Sequence, residues 1–215
     1  MSDEKQGAHN TAHIMVDIET LGTMASRHPV ICLGAIQFFI NDDEKNVGVE
    51  RVMSVIDAHS VSDEQMFFQI YNIEDQMAQG KKVDIDTMMW WIRSPNQVKM
   101  LNNWLQSNVN QQLLTAKLQN LSAWVHGLRP AAGDVMLWSY GMFDVAFIQE
   151  MYRCAGLSFP FHYRALGDVR SVKRVYEFVH GQAFEKDEQN EYAHHPLMDC
   201  YQQIQAMRRI IANLR

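Results

Sequence analysis

The chain has 215 residues, 47% of them hydrophobic and 20% charged, and a formal net charge of −6. That length suits one hydrophobic core, and no apolar run approaches the roughly 20 residues that cross a bilayer, which excludes a membrane helix. The negative charge excludes a broad basic platform for duplex nucleic acid, so any polynucleotide has to enter locally.

The opening MSDEKQGAHNTA is polar and has no apolar signal core. It reads as a flexible tail over residues 1–12 of a cytoplasmic protein. HIMVDIETLG follows as a buried strand, LGTMASRHP as a loop, and VICLGAIQFFI as a second strand that pairs with the first. NDDEKNVG is a charged turn, and ERVMSVIDAHSVSDEQMFFQIYN is expected to supply one or two more strands. From Ile73 to Leu128 the apolar spacing becomes helical. Asp86 or Thr87 is the expected cap before MMWWIR, PNQVKMLNNWLQ forms the next helix, and QQLLTAKLQNLSAWVHGL closes at Gly127.

GDVMLWSYG is a further buried strand, FDVAFIQEMYRCAGL a helix ending at Gly156, and HYRALGDVRSVKRVYEFV a short extended piece with a helix. EKDEQN is a solvated charge run, and PLMDCYQQIQAMRRIIANLR is an amphipathic helix. This order predicts an α/β fold, a mixed sheet flanked by helices in a single domain. Cys32, Cys154 and Cys200 are too scattered for a zinc site and read as reduced core thiols, and the 14 methionines read as core filler.

Asp17 and Glu19 stand two residues apart on the first strand, so both carboxylates leave one face of it. Burying two like charges at that spacing is costly unless a cation neutralises them. Two more acids are placed to face this pair. Asp144 lies at the junction of the WSYG strand and the next helix, where α/β folds place sites, and its alternative role is that of a helix cap. Asp199 lies in the first turn or so of the last helix, with His194 five residues before it and Pro196 marking the helix start. Four carboxylates and one histidine form a hard donor set suited to Mg2+ or Mn2+. Two such ions in one site would support in-line phosphoryl displacement with a base to deprotonate water.

The order Asp-x-Glu-Thr, then Gly-x-Phe-Asp, then His-x4-Asp resembles the three motifs of the DEDDh, or proofreading-type, 3′–5′ exonuclease superfamily. The MVDIETLGT start, the GKKVDIDTMMWWIRSP block and the GDVRS segment make the chain most similar to its exodeoxyribonuclease VIII-like and phage DexA-type branch. The resemblance implies a ribonuclease H-like exonuclease domain over residues 13–215 that releases nucleoside 5′-monophosphates from a 3′ end. By position, Asp17, Glu19, Asp144 and Asp199 resemble the metal-binding carboxylates, for two Mg2+ or Mn2+ ions, and His194 resembles the general base. The adjacent His195 is the alternative base. The resemblance further implies that Asp17 bridges both ions, that Glu19 holds the ion activating water, that Asp144 binds the second ion partly through water, and that Asp199 completes the set. The family commonly has Ala at the position of Pro196, and often Asn or Arg near Tyr140.

The resemblance further implies that the backbone at Thr20 and Leu21 meets the terminal nucleotide, with Leu21 wedging between its base and the next. Trp90 and Trp91 are expected to stack bases or to fill core, Trp91 being taken as the substrate contact, and Arg170, which with Asp168 resembles a family segment, is expected to touch phosphate or to support the residues that hold the metals. The expected partner is a single-stranded 3′ end, DNA being favoured by the branch and RNA being processed by relatives with the same five residues. A catalytically weak nucleic-acid-binding accessory protein and a metal-independent scaffold are the competing readings. The Trp-rich stretch from Met88 to Leu128 offers either a homodimer surface or a filled monomeric core.

Overall fold

The computed structural model describes residues 11–40, 42–58, 63–107, 113–128, 135–184 and 192–214. The expected tail therefore lies mostly outside the described residues, as does the EKDEQN run. Five strands form one sheet: β1 (Ala12–Thr20), β2 (Val30–Phe38), β3 (Met66–Ile70), β4 (Val135–Ser139) and β5 (Leu166–Asp168), in the order β3-β2-β1-β4-β5. β1, β2 and β3 pair antiparallel, whereas β4 and β5 join parallel to β1. A loop joins β1 to β2, a longer connection that carries a helix joins β2 to β3, and the parallel second half needs helical crossovers. The mixed sheet flanked by helices is the α/β architecture that the sequence predicts.

β1 is central and sorts its side chains by the strand period of two. Ala12, Ile14, Val16 and Ile18 face a core shared with α5 (Leu114–Gly127) and α6 (Phe143–Cys154), through residues such as Leu118, Val125, Val145 and Ile148. Met15 faces the opposite layer, where Asp17 and Glu19 also point. That layer holds α1 (Val49–Asp57), α3 (Ile85–Trp91), α4 (Pro95–Gln106), the start of α7 (Val169–His180) and α8 (Pro196–Asn213); α2 (Ile73–Ala78) follows β3. β2 is buried nearly throughout because helices cover both of its faces, which explains its unbroken apolar run.

The segment expected to hold only strands is half helical. Val52 and Ile56 are the buried residues of α1, and their four-residue spacing seats one helical face, whereas β3 comes only with MFFQI. The cap of α3 is Asp84, ahead of both expected positions, Asp86 and Thr87; its carboxylate accepts the Thr87 N–H at 2.9 Å. Trp91 and Trp104 are buried in this chain's own core, and Trp90 and Trp124 pack against it partly buried.

α8 places the last acids. It packs across β1 and β2, burying Leu197, Met198, Cys200, Ile204, Met207 and Ile210, at about 1.5–3 kcal/mol for each large apolar side chain as an upper estimate. Its N-terminus can approach because β2 carries Gly34, which pairs with Asp17: a Cβ there would lie 2.7 Å from both the Leu197 nitrogen and the Pro196 carbonyl carbon. Bare backbone opposite Asp17 is thus what lets α8 begin directly over the acidic strand.

Candidate active site

The site forms at the carboxyl ends of β1 and β4, the edge at which α/β folds place ligands. β1 delivers Asp17 and Glu19 just before a register shift at Glu19/Thr20. β4 ends at Ser139, and Gly141 turns the chain at φ 93, a left-handed conformation that costs glycine least. The turn leads into α6, whose first turn carries Asp144. Asp144 is 6% exposed and does not cap the helix; Met142 occupies the cap position without a side-chain bond. α8 supplies Asp199 in its first turn, with His194 in the approach.

These pieces converge. Ligand atoms of Glu19, His194 and Asp199 all lie within 4.8 Å of one another, and Asp17, Asp144, His194 and Asp199 line one open cleft of about 500 Å3. Gln203, one turn after Asp199, donates its Nε2–H to Asp17 Oδ1 at 2.9 Å.

Electrostatics show what the cluster needs. Burial, then the charges of Asp144, Asp199 and Glu19, push Asp17 well above the usual carboxylate range, against the lowering bond from Gln203. Burial, then Asp199 and Asp144, do the same to Glu19. Burial lifts Asp144 to about 7, opposed by backbone hydrogen bonds at Asp144 and Ile18 and by the Arg170 guanidinium. Burial lifts Asp199 to about 6. Carboxyls perturbed in this direction carry their charge at a cost that a bound cation would relieve. Gln203 Oε1, buried beside Asp17, has no hydrogen-bond partner among the described residues, an acceptor left over where a hydrated ion would supply donors. All-oxygen donors with one imidazole fit a hard divalent metal. Burial also lowers His194, which favours its neutral imidazole.

The two histidines separate cleanly. His195 is buried, its ring 4.8 Å from Phe68 and 5.8 Å from Trp104, and its Nδ1 accepts the Leu197 N–H at the start of α8. It is the helix cap. His194 faces the acids, with Trp90 edge-on to its ring at 4.9 Å.

Two expected side-chain contacts with substrate, Leu21 and Trp91, are corrected. Leu21 is 1% exposed and packs in the core, so its side chain does not stand where a base could be wedged. Thr20 is buried; its hydroxyl donates to the Gly22 carbonyl at 2.7 Å and its own carbonyl accepts from Trp91 Nε1 at 3.1 Å. Trp91 is fully buried, and the half-buried Trp90, 100° around α3, is the tryptophan that meets the site. Arg170 does reach the cleft: its guanidinium lies 4.9 Å over the Tyr140 ring, and Nη2 donates to the Tyr140 carbonyl at 3.2 Å. Asp168 fixes that corner by accepting the N–H groups of Gly141 and Arg170 at 2.9 Å each. Sequence reasoning missed Tyr140, Phe143, Phe184, Gln202, Gln203, Ala206 and Arg209 as lining residues. The spacing of three and four from Asp199 along the last helix is the signal that marks Gln202, Gln203 and Ala206.

A mixed sheet with this strand order is a ribonuclease H-like fold, and clustered carboxylates stand near the end of its central strand. The sequence matches the 3′-5′ exoribonuclease Rv2179c-like domain over residues 12–211. The chain belongs to that family. No curated protein sequence matches it. Among solved structures, the zinc-bound E. coli exonuclease I complex with single-stranded DNA is similar at a TM-score of 0.62 and 13% identity, covering 96% of this chain and 41% of that one. Product-bound exonuclease I is similar at 0.59 and 11%, covering 95% and 44%. Cell-death related nuclease 4 (CRN-4) is similar at 0.61 and 11%, covering 94% and 64%. At such identities the likeness is one of fold, and the chain spans about two fifths of the exonuclease I chains, 41% and 44% in these two.

Proposed function

We propose that the protein is a metal-dependent 3′–5′ exonuclease that removes nucleoside 5′-monophosphates from single-stranded ends. The observation that carries this reading is the convergence of Glu19, His194 and Asp199 within 4.8 Å, in the cleft lined by Asp17 and Asp144. Asp17, Glu19, Asp144 and Asp199 would hold two Mg2+ or Mn2+ ions. Bound there, the ions would supply Lewis-acid stabilisation of the phosphoryl oxygens and ease deprotonation of water. His194 accepts the proton of the attacking water, a task for an imidazole that is neutral at working pH. Trp90 holds the ring edge-on in place, and Gln203 keeps Asp17 aimed. Arg170 offers a guanidinium to a phosphate beside Asp144. The density of buried acid speaks against a site kept for binding alone, since uncompensated carboxylates repel a polyanion.

The family description supports RNA as the substrate, against the DNA expected from the sequence branch. DNA is the second reading, supported by the exonuclease I structures that hold single-stranded DNA. The test is cleavage of 3′-labelled and 5′-labelled single strands of RNA and DNA with Mg2+, Mn2+ or EDTA, beside Asp17→Ala. The expected result is early release of the 3′ label as mononucleotide, progressive shortening of the 5′-labelled strand, and loss of both with EDTA or the substitution. Activity that survives chelation and Asp17→Ala, or that starts at the 5′ end, overturns the proposal.

A further inference from the structure

α8 does more than hold Asp199. Asp199, Gln202, Gln203, Ala206 and Arg209 all line the same cleft, so one face of the helix forms its floor. Ten residues separate Asp199 from Arg209, about 15 Å along the axis. The acids lie at one end of this face and a guanidinium at the other. Arg209 is exposed and its guanidinium lies over the Phe184 ring at 5.2 Å, while Lys173 of α7 approaches the same ring at 5.8 Å. Phe184 is pinned by its N–H to Glu177 Oε1 at 3.0 Å and by the Tyr176 ring at 5.5 Å. Lys173 is partly engaged, with Glu177 at 3.8 Å. On a chain of net charge −6, two cations, Arg209 and Lys173, thus share one fixed aromatic ring with the single carboxylate of Glu177, and Arg209 and Phe184 line the cleft.

We infer that Arg209 and Phe184 form an upstream subsite for the single strand, Arg209 contacting a phosphate on the 5′ side of the scissile bond and Phe184 supporting the sugar or base beside it. The inference rests on the exonuclease reading for the strand's polarity. About 15 Å corresponds to about four stacked nucleotides, fewer if the strand is extended. Ala206, between the two ends, leaves room for the backbone to pass. A guanidinium already laid on a ring gives up little rotational freedom on meeting phosphate, and aromatic support is indifferent to base identity. The subsite therefore sets a length preference, and a dinucleotide spans too little of the floor to reach it.

The test is binding of 5′-fluorescein-labelled six-nucleotide and two-nucleotide oligoadenylates in EDTA, by fluorescence anisotropy across a salt series. It compares the full-length chain with Arg209→Ala and Phe184→Leu. Arg209→Ala is expected to weaken six-nucleotide binding about five- to tenfold and to reduce its log–log salt slope by about 0.7, leaving the two-nucleotide affinity unchanged. Phe184→Leu is expected to weaken the longer strand with its salt slope retained. Equal losses at both lengths, or an unchanged affinity and slope for the longer strand, overturn the subsite. Because binding is read without turnover, an inactive wild type that still shows this length-dependent loss removes only the exonuclease reading. An active enzyme indifferent to Arg209→Ala removes only the subsite.

Discussion

His194 is the one non-glycine among the described residues with a left-handed backbone, at φ 70. Such a conformation persists in a bulky residue only when its surroundings enforce it, and here Trp90, the capped start of α8 and the acids do so. Asn tolerates the same backbone and cannot act as the base, which makes His194→Asn the informative variant. It is expected to lower kcat by about 10²–10⁴-fold with little change in thermal stability. The matching His195→Asn is expected to act in the opposite sense, costing stability through loss of its packing on Phe68 and Trp104, with a smaller effect on kcat. Steady-state kinetics and a melting curve of each variant check both. The choice between the two rings was open to sequence reasoning only through motif spacing. Burial supports His194 as the base, because the ring that caps α8 is packed between aromatic side chains. The same limit explains Leu21 and Trp91: adjacency to a motif places a residue near the site but does not say which way its side chain faces.

At the scale of elements, the acids depend on how closely α8 approaches β1. Gly34→Ala puts a Cβ 2.7 Å from backbone atoms of Pro196 and Leu197 that cannot rotate away, so the start of the helix has to shift. The expected cost is about 1–3 kcal/mol of stability. Asp199 and His194 move with the helix, so activity should fall at least tenfold even in the folded fraction. Equal activity per folded molecule would show that the register of α8 tolerates displacement. Most elements were legible in the sequence: the two paired strands, the helix from Pro95, the strand before Gly141 and the last helix all carry clear periodicity and punctuation. The helix α1 was not. Its β-branched residues imitate a strand, and only the four-residue spacing of Val52 and Ile56, seated against the α8 layer, reveals the helix. Gly34 was invisible as a site residue, because a glycine in an apolar strand announces a close approach without naming what approaches.

For the molecule as a whole, the acid cluster sets stability against function. A carboxyl whose pKa is higher folded than unfolded contributes stability that is fully present below the unfolded value, about 4, and lost as pH rises through the folded value. For Asp199 that value is about 6 and for Asp144 about 7. The metal-free protein is therefore expected to lose melting temperature between about pH 4 and about pH 7. Mg2+ or Mn2+ at about 100-fold over its dissociation constant should contribute about 2.7 kcal/mol, or about 5–10 °C, at pH 8, and much less at pH 5, where protons already occupy the carboxyls. Asp17→Asn should raise the metal-free melting temperature and shrink the metal response, since it removes one of the mutually repelling charges while Asn Oδ1 can still accept from Gln203. A flat pH profile and no response to metal would show that the acids do not share one electrostatic field. The α/β class and the order of the motifs could be read from the chain, whereas the charge coupling among residues 17 to 199 exists only once the sheet and α8 bring them together.

The most direct measurement is anomalous diffraction from crystals grown with Mn2+ and a nucleoside 5′-monophosphate. Manganese peaks against the carboxylates of Asp17, Glu19, Asp144 and Asp199, with the phosphate beside them and His194 facing it, are the predicted result. Manganese absent from those four carboxylates, or bound only elsewhere on the chain, would contradict the account.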